Sequence, residues 1–180
     1  VQTCALPILG VFVGIDVSLE NCAVCAVDEH GKLVKETKVA SDPGALNACI
    51  RNMPGVVEAI GIEAGPLSQW LHKSLTDLGL PVVLMETRQV KAALKAAPVK
   101  TDRRDAAGLA RLLQMGWFRP VHCKSPSAQE LRVLLGARRS VQDAAINIEM
   151  SIRGMLRNFG LRLGRIGKVS FEDRVRELTD

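Results

Sequence analysis

Blocks of apolar residues in the first half of the chain have strand length, and in the second half apolar positions recur at helical spacing. Residues 11–17 (VFVGIDV) predict a strand and residues 21–28 a second. The turn Glu29-His30-Gly31 leads into a third at 32–39, so three strands in a meander come first. Ser41-Asp42-Pro43 opens an amphipathic helix through Met53, with proline early in the helix. Residues 56–63 predict a largely apolar fourth strand, 66–78 a helix stopped by Gly79, and 81–86 a fifth strand. After Arg88 the chain turns helical, pauses at Ala97-Pro98-Val99, and resumes from Thr101 through Met115 before Gly116. Strands that alternate with helices after an antiparallel opening predict an α/β fold, a mixed sheet flanked by helices.

Residues 126–159 predict one long helix. Its positions 131, 134, 138, 141, 145, 148, 152, 155 and 159 step by alternating three and four, and read Leu, Leu, Arg, Val, Ala, Ile, Ile, Met and Phe. All but the arginine are apolar, the pattern of a coiled-coil seam. Gly136 and Gly154 each cost about 1 kcal/mol relative to alanine, so a partner helix is expected to keep this one straight. A homodimer or higher oligomer through the seam fits this pattern; packing of the stripe on its own domain is the alternative.

Composition narrows the class. The 180 residues are 47% hydrophobic and 24% charged, ordinary values for a globular protein and not for a disordered one. No run of the sequence approaches the roughly 18 uncharged apolar residues of a membrane span, so no membrane role is expected. Tyrosine is absent, which excludes a tyrosine nucleophile in this segment, and with 3% aromatics a base-stacking platform is not expected. Five scattered cysteines without a secretion signal predict the cytoplasm, and Cys22 and Cys25, three apart in a strand, read as two small buried residues. None of the three histidines has metal-ligand spacing.

The net charge of +5 conceals an asymmetry: residues 1–86 carry −5 and residues 87–180 carry +10. A basic half is the footprint of a polyanion partner or of a solvated helical surface. Arg88, Lys91, Lys95, Lys100, Arg103 and Arg104 are candidate phosphate contacts, as are Arg132, Arg138 and Arg139 on the long helix. Arg153, Arg157, Arg162, Arg165 and Lys168 follow, fit to track a nucleic-acid backbone or to pair with a partner helix.

Four acids stand out by position. Asp16 interrupts the apolar first strand and Glu63 ends the apolar fourth, and a carboxylate in such a run needs a partner, a strand-end position or a metal. In this meander the first strand lies centrally with the fourth parallel beside it, which would bring Asp16 and Glu63 to neighbouring strand ends. Asp102 and Asp105, in KTDRRDAAGLARLL, share a helix face with Ala106, Leu109 and Leu113. Taken singly, each acid also fits a turn, an exposed edge or a helix cap. Two carboxylates about 4 Å apart repel by roughly 4 kcal/mol at an effective dielectric of 20, so four gathered together require cations. Around two divalent ions they would form a site for in-line phosphodiester displacement, and oxygen ligands favour Mg²⁺ or Mn²⁺.

The runs GIDVS, GIEAG, KTDRRDAAGLA and LRVLLGARR resemble the DEDD transposases of bacterial insertion sequences, the family one-hundred-ten recombinases. Their N-terminal domain is similar to the Holliday-junction resolvase RuvC. The resemblance covers about residues 11–159 and implies a ribonuclease H-like fold, whose strand and helix order the pattern above matches. It implies that Asp16, Glu63, Asp102 and Asp105 are the catalytic, metal-binding carboxylates, that Ser18 supports them, and that DNA is the substrate. A guide RNA from the same element, and a serine nucleophile in a further C-terminal domain, are also implied. Ala64-Gly65-Pro66 departs from the Thr-Gly pair and nearby tyrosine common after the family's glutamate.

The expected organisation is a foreign leader at 1–8, a RuvC-like catalytic domain at 9–123, the long helix at 124–162 and the start of a connector at 163–180. Both ends read as cut. Two rivals stand beside the transposase reading: a non-catalytic basic coiled-coil module that dimerises or binds nucleic acid, and an ATPase like the sugar kinases, whose first phosphate loop GIDVS also resembles.

Overall fold

The computed structural model describes residues 10–95 and 102–180, with the backbone alone of Asp102. The chain forms two compact units, Val1–Lys124 and Ser125–Asp180.

The first unit holds a five-stranded sheet in the order β3-β2-β1-β4-β5. Its strands are β1 (Gly10–Asp16), β2 (Asn21–Asp28), β3 (Leu33–Ala40), β4 (Val56–Glu63) and β5 (Val82–Met85). β1 pairs antiparallel with β2 and parallel with β4, β2 pairs antiparallel with β3, and β4 parallel with β5. This is the mixed sheet of the ribonuclease H-like fold, with the meander first and the parallel strands added on the far side of β1. The helices of this unit are α1 (Pro43–Arg51), α2 (Ser68–Asp77), α3 (Thr87–Leu94) and α4 (Asp102–Gln114). Asp42 caps α1 by accepting from the Ala45 N–H at 2.8 Å, with Pro43 in the first turn, as the Asp-Pro pair predicts. The predicted pause at Ala97-Pro98-Val99 lies outside the described residues.

Strand parity sorts the side chains onto two faces. Val11, Val13, Ile15, Val24, Ile60 and Ile62 form the main core with Leu46 and Ile50 of α1 and Leu71 and Leu75 of α2. On the other face Ala23, Cys25 and Val27 meet Ala106 and Ala110 of α4. Cys22 belongs to the first cluster and Cys25 to the second, so the C-x-x-C pair straddles the sheet. Burial, with the Glu36 charge adding to it, pushes the Cys25 thiol up to about 11, and burial likewise raises Cys22. Both are protonated core residues at neutral pH.

Asp28 closes the meander's turn: its Oδ1 accepts the N–H groups of His30 and Lys32, each at 2.9 Å. The bond from Lys32 foremost holds its carboxyl below the ordinary 3.8. A folded-state pKa below the unfolded one means the stabilisation is present at neutral pH and is lost as pH falls through the lowered value. Asp28→Asn is therefore expected to melt below the unaltered chain at pH 7, with the gap narrowing toward pH 3. A gap that stays constant across that range would show that the ionised carboxylate contributes nothing.

In the second unit α5 (Pro126–Arg157) is capped by Ser125, whose Oγ accepts from the Ala128 N–H at 3.3 Å. A turn and a short 3-10 segment lead to α6 (Phe171–Thr179). Leu156, Leu163 and Phe171 are buried together, with Ile152 against them. The upstream stripe on α5 is exposed: Leu134 is 67%, Val141 70% and Ile148 61% exposed. No helix among the described residues is long and apolar enough to cross a membrane.

Candidate active site

Asp16 and Glu63 are brought together by strand pairing. Ile15 is opposite Ile62 in the parallel ladder, so the next positions, Asp16 and Glu63, stand side by side at the C-terminal ends of β1 and β4. Parity puts both on the face that carries α4, since Gly14 and Gly61, two residues earlier, lie against that helix. Both carboxylates are half-buried and line one open pocket of about 390 Å³, together with Ser18, Thr87 and Lys91. Lys91, exposed on α3, is the one cationic side chain in that lining among the described residues. Strand ends in a parallel ladder are where a sheet presents side chains to a ligand.

Two hydroxyls lock the segment after Glu63. Ser68, 2% exposed, donates its Oγ hydrogen to the Glu63 carbonyl at 2.5 Å. Thr87 donates to the Ala64 carbonyl at 2.6 Å, and the Ala64 N–H donates to the Met85 carbonyl at 2.9 Å. The sequence gives no local signal for either hydroxyl, because each bond joins separate elements. On the other side β1 ends at Asp16, so Ser18 reaches the pocket through the following turn. Ser18 Oγ donates to the Asn21 carbonyl, and its own carbonyl accepts from Ser41 Oγ at 2.7 Å.

The direction of α4 follows from its contacts. Ala106 and Ala110 cross over Gly14, while Gln114 at the far end donates to the Glu29 carbonyl at 2.8 Å, beside the start of β1. The N-terminal turn of α4 therefore points toward the strand ends that carry Asp16 and Glu63. Asp105, half-buried, is in that turn, immediately before the buried Ala106. Asp102 begins the helix, and its side chain lies outside the described residues, as does Lys100. Among the described residues no three of His, Cys, Asp and Glu form a group able to hold a metal ion.

The basic candidates separate. Arg88, Lys91 and Lys95 are exposed on or just after α3, and Arg132, Arg138 and Arg139 are exposed on α5. Arg139 stands 3.9 Å from Asp143, one turn on. Arg103 pairs with Glu36 of β3 at 2.8 Å, tying the start of α4 to the sheet, while Arg104 is exposed.

The chain is similar in sequence to known proteins. The chain is 27% identical over 166 residues to the transposase for insertion sequence element IS1111A of Coxiella burnetii, covering 89% of this chain and 42% of that protein. It is 30% identical over 169 residues to the y4qE protein of Sinorhizobium fredii, covering 91% and 42%. The chain thus spans less than half the length of these curated relatives. Among solved structures, Thermus thermophilus RuvC in complex with a Holliday junction substrate aligns with a TM-score of 0.44 and 20% identity, over 62% of this chain and 99% of that one. Residues 13–160 match the family model of the IS110 DEDD transposases, described as Transposase, and the chain belongs to that family.

Proposed function

We propose that this chain carries the metal-dependent DNA-cutting part of an IS110-type transposase, with Asp16, Glu63, Asp102 and Asp105 as its carboxylates. The observation that carries the reading is the placement of Asp16 and Glu63 side by side at parallel strand ends, lining one pocket, with the N-terminus of α4 directed to the same end. The donor set is all carboxylate oxygen, which suits Mg²⁺ or Mn²⁺, two ions in this reading. Divalent ions bound there would polarise the scissile phosphate and stabilise the leaving oxygen.

The chain's own residues do the rest of the work in this reading. Backbone pairing holds Asp16 and Glu63 in register, Ser68 and Thr87 hold the segment behind Glu63, and Ser18 steadies the turn after Asp16. Lys91 is placed to orient a phosphate at the pocket, and Arg88, Lys95, Lys100 and Arg104 extend that positive surface along the DNA. Residues 9–123 act as the catalytic domain, 124–162 as the oligomerising helix and 163–180 as a connector. A guide RNA is a further partner of the whole protein in this reading. The free thiols of Cys22, Cys25, Cys49 and Cys123 suit the reducing bacterial cytoplasm.

Mn²⁺ titration followed by electron paramagnetic resonance tests the site. The unaltered chain is expected to bind two ions, with Asp105→Asn and Asp102→Asn each weakening binding. Binding unchanged in both variants would remove α4 from the metal site.

The exposed stripe on α5 supports a homodimer. Leu131, Leu134, Val141 and Ile148 are all more than half exposed at the spacing of a coiled-coil seam, and a second copy supplies the same apolar surface. Light scattering is expected to give a dimer for the chain and a monomer for Leu134→Glu/Ile148→Glu. A monomeric unaltered chain at tens of micromolar would refute the pairing.

A further inference from the structure

The turn after α5 contains a cavity of about 590 Å³, lined by Arg153, Arg157 and Arg162 along with glycine and leucine positions. Between Glu149 and Glu172 the sequence has no acidic residue, while Arg153, Arg157, Arg162, Arg165 and Lys168 bring five positive charges. A helix C-terminus attracts cations, but its dipole amounts to only about half an elementary charge. Five cations exceed that several-fold.

These arginines are also left over by the fold. Arg153 donates Nη1–H to the Gly164 carbonyl at 2.9 Å, and its guanidinium lies 5.1 Å from the centre of the Phe171 ring. That fixes the plane of the group while leaving most of its N–H donors unused. Arg157 and Arg162 are exposed and make no ion pair among the described residues. Two of the three acids of α6 are engaged on their own helix, Glu172 with Arg176 at 2.8 Å and Glu177 with Arg174 at 2.6 Å, and the third, the exposed Asp173, does not line the hollow. Gly160, at φ +75°, turns the chain back tightly enough to set Arg157 and Arg162 around one hollow.

We infer that this hollow is a binding site for the phosphodiester backbone of a nucleic acid, separate from the carboxylate pocket and in the other compact unit. Guanidinium forks match phosphate oxygens in pairs, and one pre-set arginine flanked by two exposed ones can seat a phosphate without contacting a base. The hollow therefore positions a strand and reads no sequence. The inference takes its class of ligand from the proposed function, but needs no metal.

The test is fluorescence anisotropy of labelled duplex DNA and labelled single-stranded RNA with the whole chain, in EDTA, across a potassium chloride series. Arg157→Ala/Arg162→Ala is expected to weaken both complexes and to flatten the plot of log K against log salt by about 1.8 for the duplex and about 1.4 for the single strand. The lysine pair Arg157→Lys/Arg162→Lys keeps the slope, and matched thermal melts show that the variants fold. A change confined to one polymer assigns the hollow to that polymer. An unchanged slope on both overturns the inference and leaves the carboxylate site standing. Failure of the unaltered chain to bind either polymer overturns it together with the DNA reading.

Discussion

Gly14→Ala is expected to destabilise the first unit by about 3 kcal/mol, the upper end for inserting a single methyl into a packed site. A Cβ at this position would overlap the Ala106 carbonyl oxygen and lie 2.5 Å from the Ala110 nitrogen and 2.9 Å from Leu109 Cβ. The first two are helix backbone, which cannot rotate aside, so α4 itself must lift from the sheet. The matching position on β4 gives the control. A Cβ at Gly61 meets Met85 Sδ at 2.7 Å, the end of a flexible side chain, and Gly61→Ala is expected to cost only about 1 kcal/mol. In thermal melts Gly14→Ala should fall by about 10 °C and Gly61→Ala by a few degrees. Equal losses would mean that α4 does not cross β1 at Gly14. Lifting α4 also displaces Asp105, so the same substitution couples packing to the site.

That close approach shows where the sequence stops being informative. A glycine inside an apolar strand reads only as a weak point, because the reason for it belongs to a helix some ninety residues later. Strand parity, by contrast, is local: it put Cys22 and Cys25 on opposite faces, and they line separate clusters. The Asp42-Pro43 and Ser125-Pro126 starts are legible for the same reason, since a cap bonds within one turn. Ser68 and Thr87 were invisible because a hydroxyl bonded to a carbonyl in another element leaves no periodic trace. Arg103 read as a phosphate contact, yet Glu36 lies 2.8 Å away, a pairing that only the packing of α4 against β1 and β2 creates. The α5 stripe was legible by spacing, but its lower end is shared: Ile152 packs with Leu156 and Phe171 inside its own unit. The seam is thereby interrupted at Ile152, while Met155 and Phe159 beyond it stay exposed.

Asp16→Asn is expected to have opposite effects with and without metal, and the change of sign makes it the strongest test of the carboxylate pair. Asp16 and Glu63 stand one position past the paired Ile15 and Ile62 and line the same pocket, so like charges are brought close together there. Asparagine has nearly the same shape and removes one of those charges. In EDTA the variant should melt at or above the unaltered chain. Mn²⁺ should reverse the order: at a hundred times its dissociation constant an ion bound only by the folded state adds about 2.7 kcal/mol, and the variant forfeits most of that gain. Glu63→Gln should behave alike, and the double variant should gain little beyond either single one in Mn²⁺ insensitivity, because both changes remove the same bound state. A structural role for Asp16, as a strand-end residue held by neutral hydrogen bonds, predicts a loss of stability in EDTA and an undiminished response to Mn²⁺.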